Sequence, residues 1–191
     1  MGISISEYKK MIGQDTKKDY KRQLQGRINH EIGEDFENRI SAICEYYEQL
    51  GLARIEKTPE PMKILKHIDN GHFETVFTKM AQPDFKGCIK GGRTVVFDAK
   101  YTTSNRITYQ VLSEHQREAL LIYNNLGAMS FIIVGFATGD IYKIEIDTWS
   151  KMQQIFGRKY MLQSELDEMG FKVRKDKKGV LDIFNLSTHN K

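Results

Sequence analysis

The residues best placed to do chemistry lie between Gln82 and Lys100, in the segment QPDFKGCIKGGRTVVFDAK. Asp84 sits in a turn-like stretch between Pro83 and Phe85-Lys86-Gly87. Fourteen residues later, Asp98 closes the short apolar run Val95-Val96-Phe97 and is followed by Ala99 and Lys100. Side chains alternate along a strand, so Val96, Asp98 and Lys100 share one face, and Val95, Phe97 and Ala99 the other. A hairpin through Gly91-Gly92 would return Asp84 to the side of Asp98. Two carboxylates held close repel unless a cation lies between them. Two hard oxygen ligands with an ammonium beside them suit metal-assisted attack on a phosphodiester. Each part also has a plainer reading. Asp98 and Lys100 could form a salt bridge at a strand end, and Asp84 could cap a turn.

Two helical residues add to the pattern. Gln116 follows Leu112 by four and precedes Leu120 by four, so a polar amide interrupts an apolar stripe and faces inward. A buried amide needs a partner, either a backbone group or a metal and its water. Glu37 lies one position past Phe36 in an earlier apolar stripe, at its edge, within reach of a sheet end. Glu34 and Glu48 read as exposed. The histidines show no zinc-type spacing, and phosphate-loop, dinucleotide and nucleophile-elbow motifs are absent.

The elements that must position these residues follow from periodicity. Ile32, Phe36, Ile40, Ile43, Tyr47 and Leu50 recur at helical spacing from His30, and Gly51 ends the helix. LARIEK (52–57) reads as a strand, stopped by Pro59 and Pro61. Met62 to Met80, of mixed polarity with an Asp-Asn-Gly turn at 69–71, reads as an excursion of strand, turn and strand. After the strand Thr94 to Tyr101 comes a polar loop, 102–111. A helix then runs from Leu112 to Leu126, with Ser113 as cap, burying Leu112, Ala119, Leu120, Tyr123 and Leu126. SFIIVGFA and DIYKIEI flank Thr138-Gly139 as a hairpin, and the first run suits a central strand. A helix from Asp147 or Thr148 through Phe156, a short helix over 160–170 and a charged hairpin over 172–184 complete the chain. This order indicates an α/β fold with a mixed central sheet flanked by helices.

Composition bounds the rest. The chain has 191 residues, 28% charged, and fits one domain with an added arm. Residues 1–28 carry seven basic and three acidic side chains, an excess that accounts for the whole net charge of +4. Polar and weakly periodic, this segment reads as an arm or a loose helix, and such a basic segment on a neutral body points to a polyanion, since Lys and Arg displace counterions from phosphates. No run approaches a membrane span, and no secretory leader is evident. Two unpatterned cysteines, Cys44 and Cys88, fit a reducing cytoplasm.

In order, these motifs resemble those of the RecU-type Holliday junction resolvases, nucleases of the PD-(D/E)xK superfamily found in Gram-positive bacteria and their phages. The resemblance spans about residues 28–185. It rests on Gly33 and Glu37, the TPEP entry at 58–61, Asp84-Phe85 with Gly87, Asp98-Ala99-Lys100, and the pair His115-Gln116. It implies a restriction-endonuclease-like fold with an inserted projecting stalk at about 58–80 in a nuclease domain of residues 29–191. It implies Asp84, Asp98 and Gln116 at the metal, Lys100 steadying the transition state and Glu37 beside the site. It further implies a homodimer with two sites and allows a RecA-type recombinase as a partner. Gln82 stands where a threonine is usual, and Asp98 where glutamate is more common.

The expectation is therefore a cytoplasmic, magnesium-dependent endonuclease, with manganese as substitute, that cuts four-way DNA junctions during recombination. Residues 1–28, through Lys17, Lys18, Lys21 and Arg22, and the stalk, through Lys63, Lys66 and Lys79, would grip DNA backbone. Two other readings stay open: a nuclease for other DNA structures, and a non-catalytic DNA-binding or recombinase-regulating protein.

Overall fold

A computed structural model describes residues 5–59, 62–68, 72–77 and 82–186. The first element is a single long helix, α1 (Ile5–Gln49). Its buried positions, Phe36, Ile40, Ile43, Cys44 and Tyr47, follow the expected stripe. Two details differ from the sequence reading. The helix expected from His30 begins at Ile5, so from there on the basic segment 1–28 is its first part. No proline precedes Pro59, and an isolated glycine such as Gly26 weakens a helix without ending it. Leu50 is 44% exposed, because the helix stops one residue earlier and the chain turns at Gly51.

The strands β1 (Ala53–Lys57), β2 (Met62–Ile68), β3 (His72–Phe77), β4 (Phe85–Ile89) and β5 (Thr94–Thr102) follow. β2 and β3 pair antiparallel as a separate two-stranded ladder, as expected for the excursion. Its turn, 69–71, lies outside the described residues. The expected loop 102–111 instead forms a short strand, β6 (Arg106–Thr108), and a 3₁₀ turn, Tyr109–Val111, because Ile107 is buried. Helix α2 (Glu114–Asn125) leads to β7 (Met129–Phe136) and β8 (Ile141–Glu145). The helix expected through Phe156 is split at Lys151 into α3 (Ile146–Ser150) and α4 (Met152–Phe156). The stretch 160–170 is a strand, β9 (Tyr160–Leu162), before a helix, α5 (Gln163–Glu168). β9 pairs antiparallel with β6 as a small ribbon.

The central sheet has the order β1-β4-β5-β7-β8. Only β5 and β7 run parallel; the other neighbours are antiparallel. A parallel pair needs a crossover, and α2 supplies it. One sheet face, with Val95, Phe97, Ala99, Phe131 and Ile133, packs on α1. The other, with Val96, Ile132 and Val134, packs with Leu112 and Leu120 of the α2 region and with Trp149. This is the expected mixed sheet flanked by helices. Within α2, Leu120 is buried, but Leu126 is 79% exposed, because the helix ends at Asn125 and Leu126 is its cap. Both cysteines are free; burial pushes the Cys44 thiol up to about 12, while Cys88 is exposed.

Gly87 lies opposite Ile55 where β4 meets β1. A Cβ there would lie 2.7 Å from the Ile55 Cα and closer still to the Arg54 carbonyl, both backbone atoms. Gly87→Ala is therefore expected to cost about 1–3 kcal/mol by forcing the two strands apart. Chemical denaturation measures this, and an unchanged stability would contradict the packing described.

Candidate active site

The ladder between β4 and β5 sets the site. Phe85 lies opposite Phe97, so the next pair outward is Asp84 and Asp98. The Gly91-Gly92 turn closes this hairpin with both residues at positive φ, 98° and 84°, which favours glycine. The Asp84 N–H donates to Asp98 Oδ1 at 3.1 Å, and the Ala99 N–H donates to Asp84 Oδ2 at 3.2 Å. The Lys100 ammonium lies 2.9 Å from Asp84 Oδ2 and 3.8 Å from Asp98 Oδ1. On its other side, the Asp84 carbonyl accepts from the Thr58 N–H at 2.8 Å, which ties the end of β1 to the site.

Asp98 faces the α2 side of the sheet, as the period-2 pattern requires. There Gln116 donates from Nε2 to Asp98 Oδ1 at 3.2 Å. The same side chain completes a capping box: Gln116 Oε1 accepts from the Ser113 N–H at 3.1 Å, and Ser113 Oγ accepts from the Gln116 N–H. The helix cap thus fixes the rotamer that reaches Asp98. Leu120 and the buried Ser130, whose hydroxyl donates to the Leu120 carbonyl at 2.8 Å, hold the helix to β7. Gln116 orients Asp98 in this arrangement. To offer its oxygen to a metal it would have to turn its amide over and give up the cap.

Glu37 sits on α1, on the opposite face of the sheet. Phe36 beside it packs over Gly135, where an added Cβ would meet the ring at 2.5 Å. Glu37 does not touch either aspartate. It pairs with Lys57 at the end of β1, at 2.8 Å, a partner that sequence reasoning missed. The only signal was a lysine ending the strand before TPEP. Gln82 also stays apart, accepting from the Lys86 ammonium at 2.7 Å. Of the residues expected to grip DNA, Lys66 is exposed on β2. Lys79 lies outside the described residues, as do the side chains of Lys17, Lys18, Lys21, Arg22 and Lys63.

Asp98 is fully buried, and its Oδ2 has no hydrogen-bond partner. Burial, then the charge of Asp84, raises its carboxyl from 3.8 to about 8, with Lys100 opposing. Burial works against the Lys100 ammonium, but Asp84, Asp98 and Glu37 outweigh it and hold it above its ordinary value. A sequestered carboxylate oxygen without a partner, beside a second carboxylate, fits a hard divalent cation. Among the described residues no third carboxylate, imidazole or thiolate joins the pair. Water or a substrate oxygen would have to complete the shell.

The proton balance gives a test. Between pH 4 and 8 the metal-free folded protein binds a proton at Asp98 that the unfolded chain releases. That stabilisation is complete below the ordinary carboxylate value and is lost as pH rises through 8. In EDTA the melting temperature of the wild type should fall from pH 5 to 8.5 relative to Asp98→Asn. Adding Mg²⁺ at pH 8 should restore the wild type and leave the variant unmoved. Parallel curves would contradict the burial account.

The chain has relatives of known activity. A family model described as Recombination protein U matches residues 31–189. The Holliday junction resolvase RecU of Ligilactobacillus salivarius (strain UCC118) is 27% identical over 150 residues, 74% of this chain and 70% of that protein. The protein of the same name from Lactococcus lactis subsp. lactis (strain IL1403) is 31% identical over 113 residues, 55% and 52% respectively. Among solved structures, Archaeoglobus fulgidus Hjc, a Holliday junction resolvase, aligns with a TM-score of 0.46 at 12% identity, covering 71% of this chain and 93% of that one.

Proposed function

This chain belongs to the Recombination protein U family, and from that premise we propose that it resolves Holliday junctions at a site built on Asp84, Asp98 and Lys100. The observation that carries the site is the pairing of Asp84 with Asp98 at the open end of the β4–β5 ladder, with the Lys100 ammonium between them. The reaction is hydrolysis of a phosphodiester, so the protein is an endonuclease acting on branched DNA. The cation would be Mg²⁺, with Mn²⁺ as substitute, since the two carboxylates are hard oxygen donors. When bound, it would polarise the phosphate and acidify a water for in-line attack.

The chain's own residues divide the remaining work. Asp84 and Asp98 would hold the cation, and their hydrogen bonds to the Ala99 and Asp84 backbone set the direction of both carboxylates. Lys100 stays charged and stands within reach of a phosphate oxygen, where it offsets charge gathering in the transition state. Gln116 sets the direction of the Asp98 carboxylate. Glu37 contributes through Lys57, which it holds at the mouth of the site.

DNA contacts by residues 1–28 and by the β2–β3 stalk belong to this proposal, supported by the basic excess of the first and the exposed Lys66 of the second. A homodimer would present two sites for symmetric cuts, and a RecA-type recombinase would be its partner in recombination. Its substrate would place the protein in the cytoplasm. No helix among the described residues is long and apolar enough to cross a membrane. Asp98→Asn and Lys100→Ala should each slow cleavage of a synthetic four-way junction in Mg²⁺ by about 10²-fold or more. The wild type should cut the junction faster than its linear arms. Retained cleavage in either variant would remove the assignment.

A further inference from the structure

The β6–β9 ribbon carries a cluster of charge that the active site does not use. In its register Ile107 opposes Met161, and both are buried. The alternate positions, with Arg106 and Tyr160, therefore face outward. Four cations lie over two tyrosine rings: Tyr160 on that outward face, and Tyr109, which follows β6 in phase with the buried Ile107 and packs against the core on the α2 side of the sheet. Arg106 and Arg158 are 5.0 and 4.6 Å from the Tyr160 ring centre. Arg117 and Lys159 are 4.3 and 5.7 Å from that of Tyr109. The Tyr109 N–H donates to the Lys159 carbonyl at 2.9 Å, which carries the ribbon's pairing on to the second group.

Among the described residues only one of the four cations is neutralised. Arg158 pairs with Glu165, whereas Arg106, Arg117 and Lys159 have no carboxylate partner there. Gathering unpaired like charges costs energy that a folded protein ordinarily relieves with acids. Here the relief comes from ring faces and, for Arg117, from the Leu112 carbonyl to which its Nη1 donates, which leaves other guanidinium and ammonium N–H groups able to donate outward. Such a cluster complements a polyanion with regularly spaced oxygens. Its place in the chain matters as well. β6 follows β5 after three residues, and Arg117 is the residue after Gln116, which touches Asp98.

We propose that the β6–β9 ribbon, through Arg106 on its outer face and Arg117 and Lys159 beside Tyr109, binds the phosphodiester backbone of the DNA arm being cut, beside the scissile phosphate. The proposal rests on the active-site reading for its account of which phosphates are met. The tyrosines hold the cations in place and already have their faces covered, so the contact is with backbone and carries no base preference.

The test is the salt dependence of DNA binding by the full chain, in EDTA, on a labelled four-way junction and a labelled linear duplex. Removing one phosphate-binding cation should reduce the slope of log K against log salt by about 0.9. Arg106→Gln with Lys159→Gln, which spares α2, should lower it by about 2 on both probes; adding Arg117→Gln should bring the reduction to about 3. Arg106→Lys with Lys159→Arg should keep the wild-type slope. An unchanged slope in glutamine variants that melt like the wild type would overturn the proposal, and would be the result if these cations met an acidic protein instead. The two readings separate cleanly. If the wild type cuts no junction in Mg²⁺ while the slope still falls, the active-site reading fails and this one stands. If it cuts and the slope does not change, the reverse holds.

Discussion

The structure depends on two acids forced into one antiparallel pair. Phe85 and Phe97 stack with their rings 4.8 Å apart and nearly parallel, and Phe97 stacks in turn on Phe131. This column fixes the register of three strands. Once it is set, Asp84 and Asp98 must be neighbours. Asp98, fully buried on the α2 face, has nowhere to turn its second oxygen. Hydrophobic packing thus holds together two groups that electrostatics would separate. The compensations on view are the Lys100 ammonium, the backbone N–H groups and the Gln116 amide, and they leave one oxygen unmet.

Other parts of the fold serve this pair from a distance. The capping box at Ser113 stabilises the start of α2 and also aims Gln116, so one side chain satisfies a helix end and the Asp98 carboxylate. The close approach of Phe36 to Gly135 docks α1 on the opposite face, and Glu37 then meets Lys57 at the edge strand. The site therefore draws on both helical layers, though only the α2 layer touches the aspartates.

Much of this was legible in the sequence, because the signals were local. Alternation placed Asp98 and Lys100 on one face, the double glycine marked the hairpin, and Ser113 with Gln116 marked a helix start. The less legible parts depend on tertiary context. Residues 5–29 join α1 although their pattern is weakly periodic, since continuing a helix requires only the absence of a breaker. Arg106–Thr108 becomes a strand because Ile107 fills a gap in the second core and β9, about fifty residues later, supplies the pairing. Glu37 was placed beside the site by its position at the edge of the apolar stripe and by the family resemblance. Its true partner, Lys57, comes from an edge strand whose position follows from the sheet order alone.

The central claim is that Asp84 and Asp98 jointly hold a divalent cation. It is tested most directly by Mn²⁺ binding, followed by electron paramagnetic resonance, in the wild type, Asp84→Asn and Asp98→Asn without DNA. The account predicts bound Mn²⁺ in the wild type that disappears in both variants. Equal binding in all three proteins would contradict it.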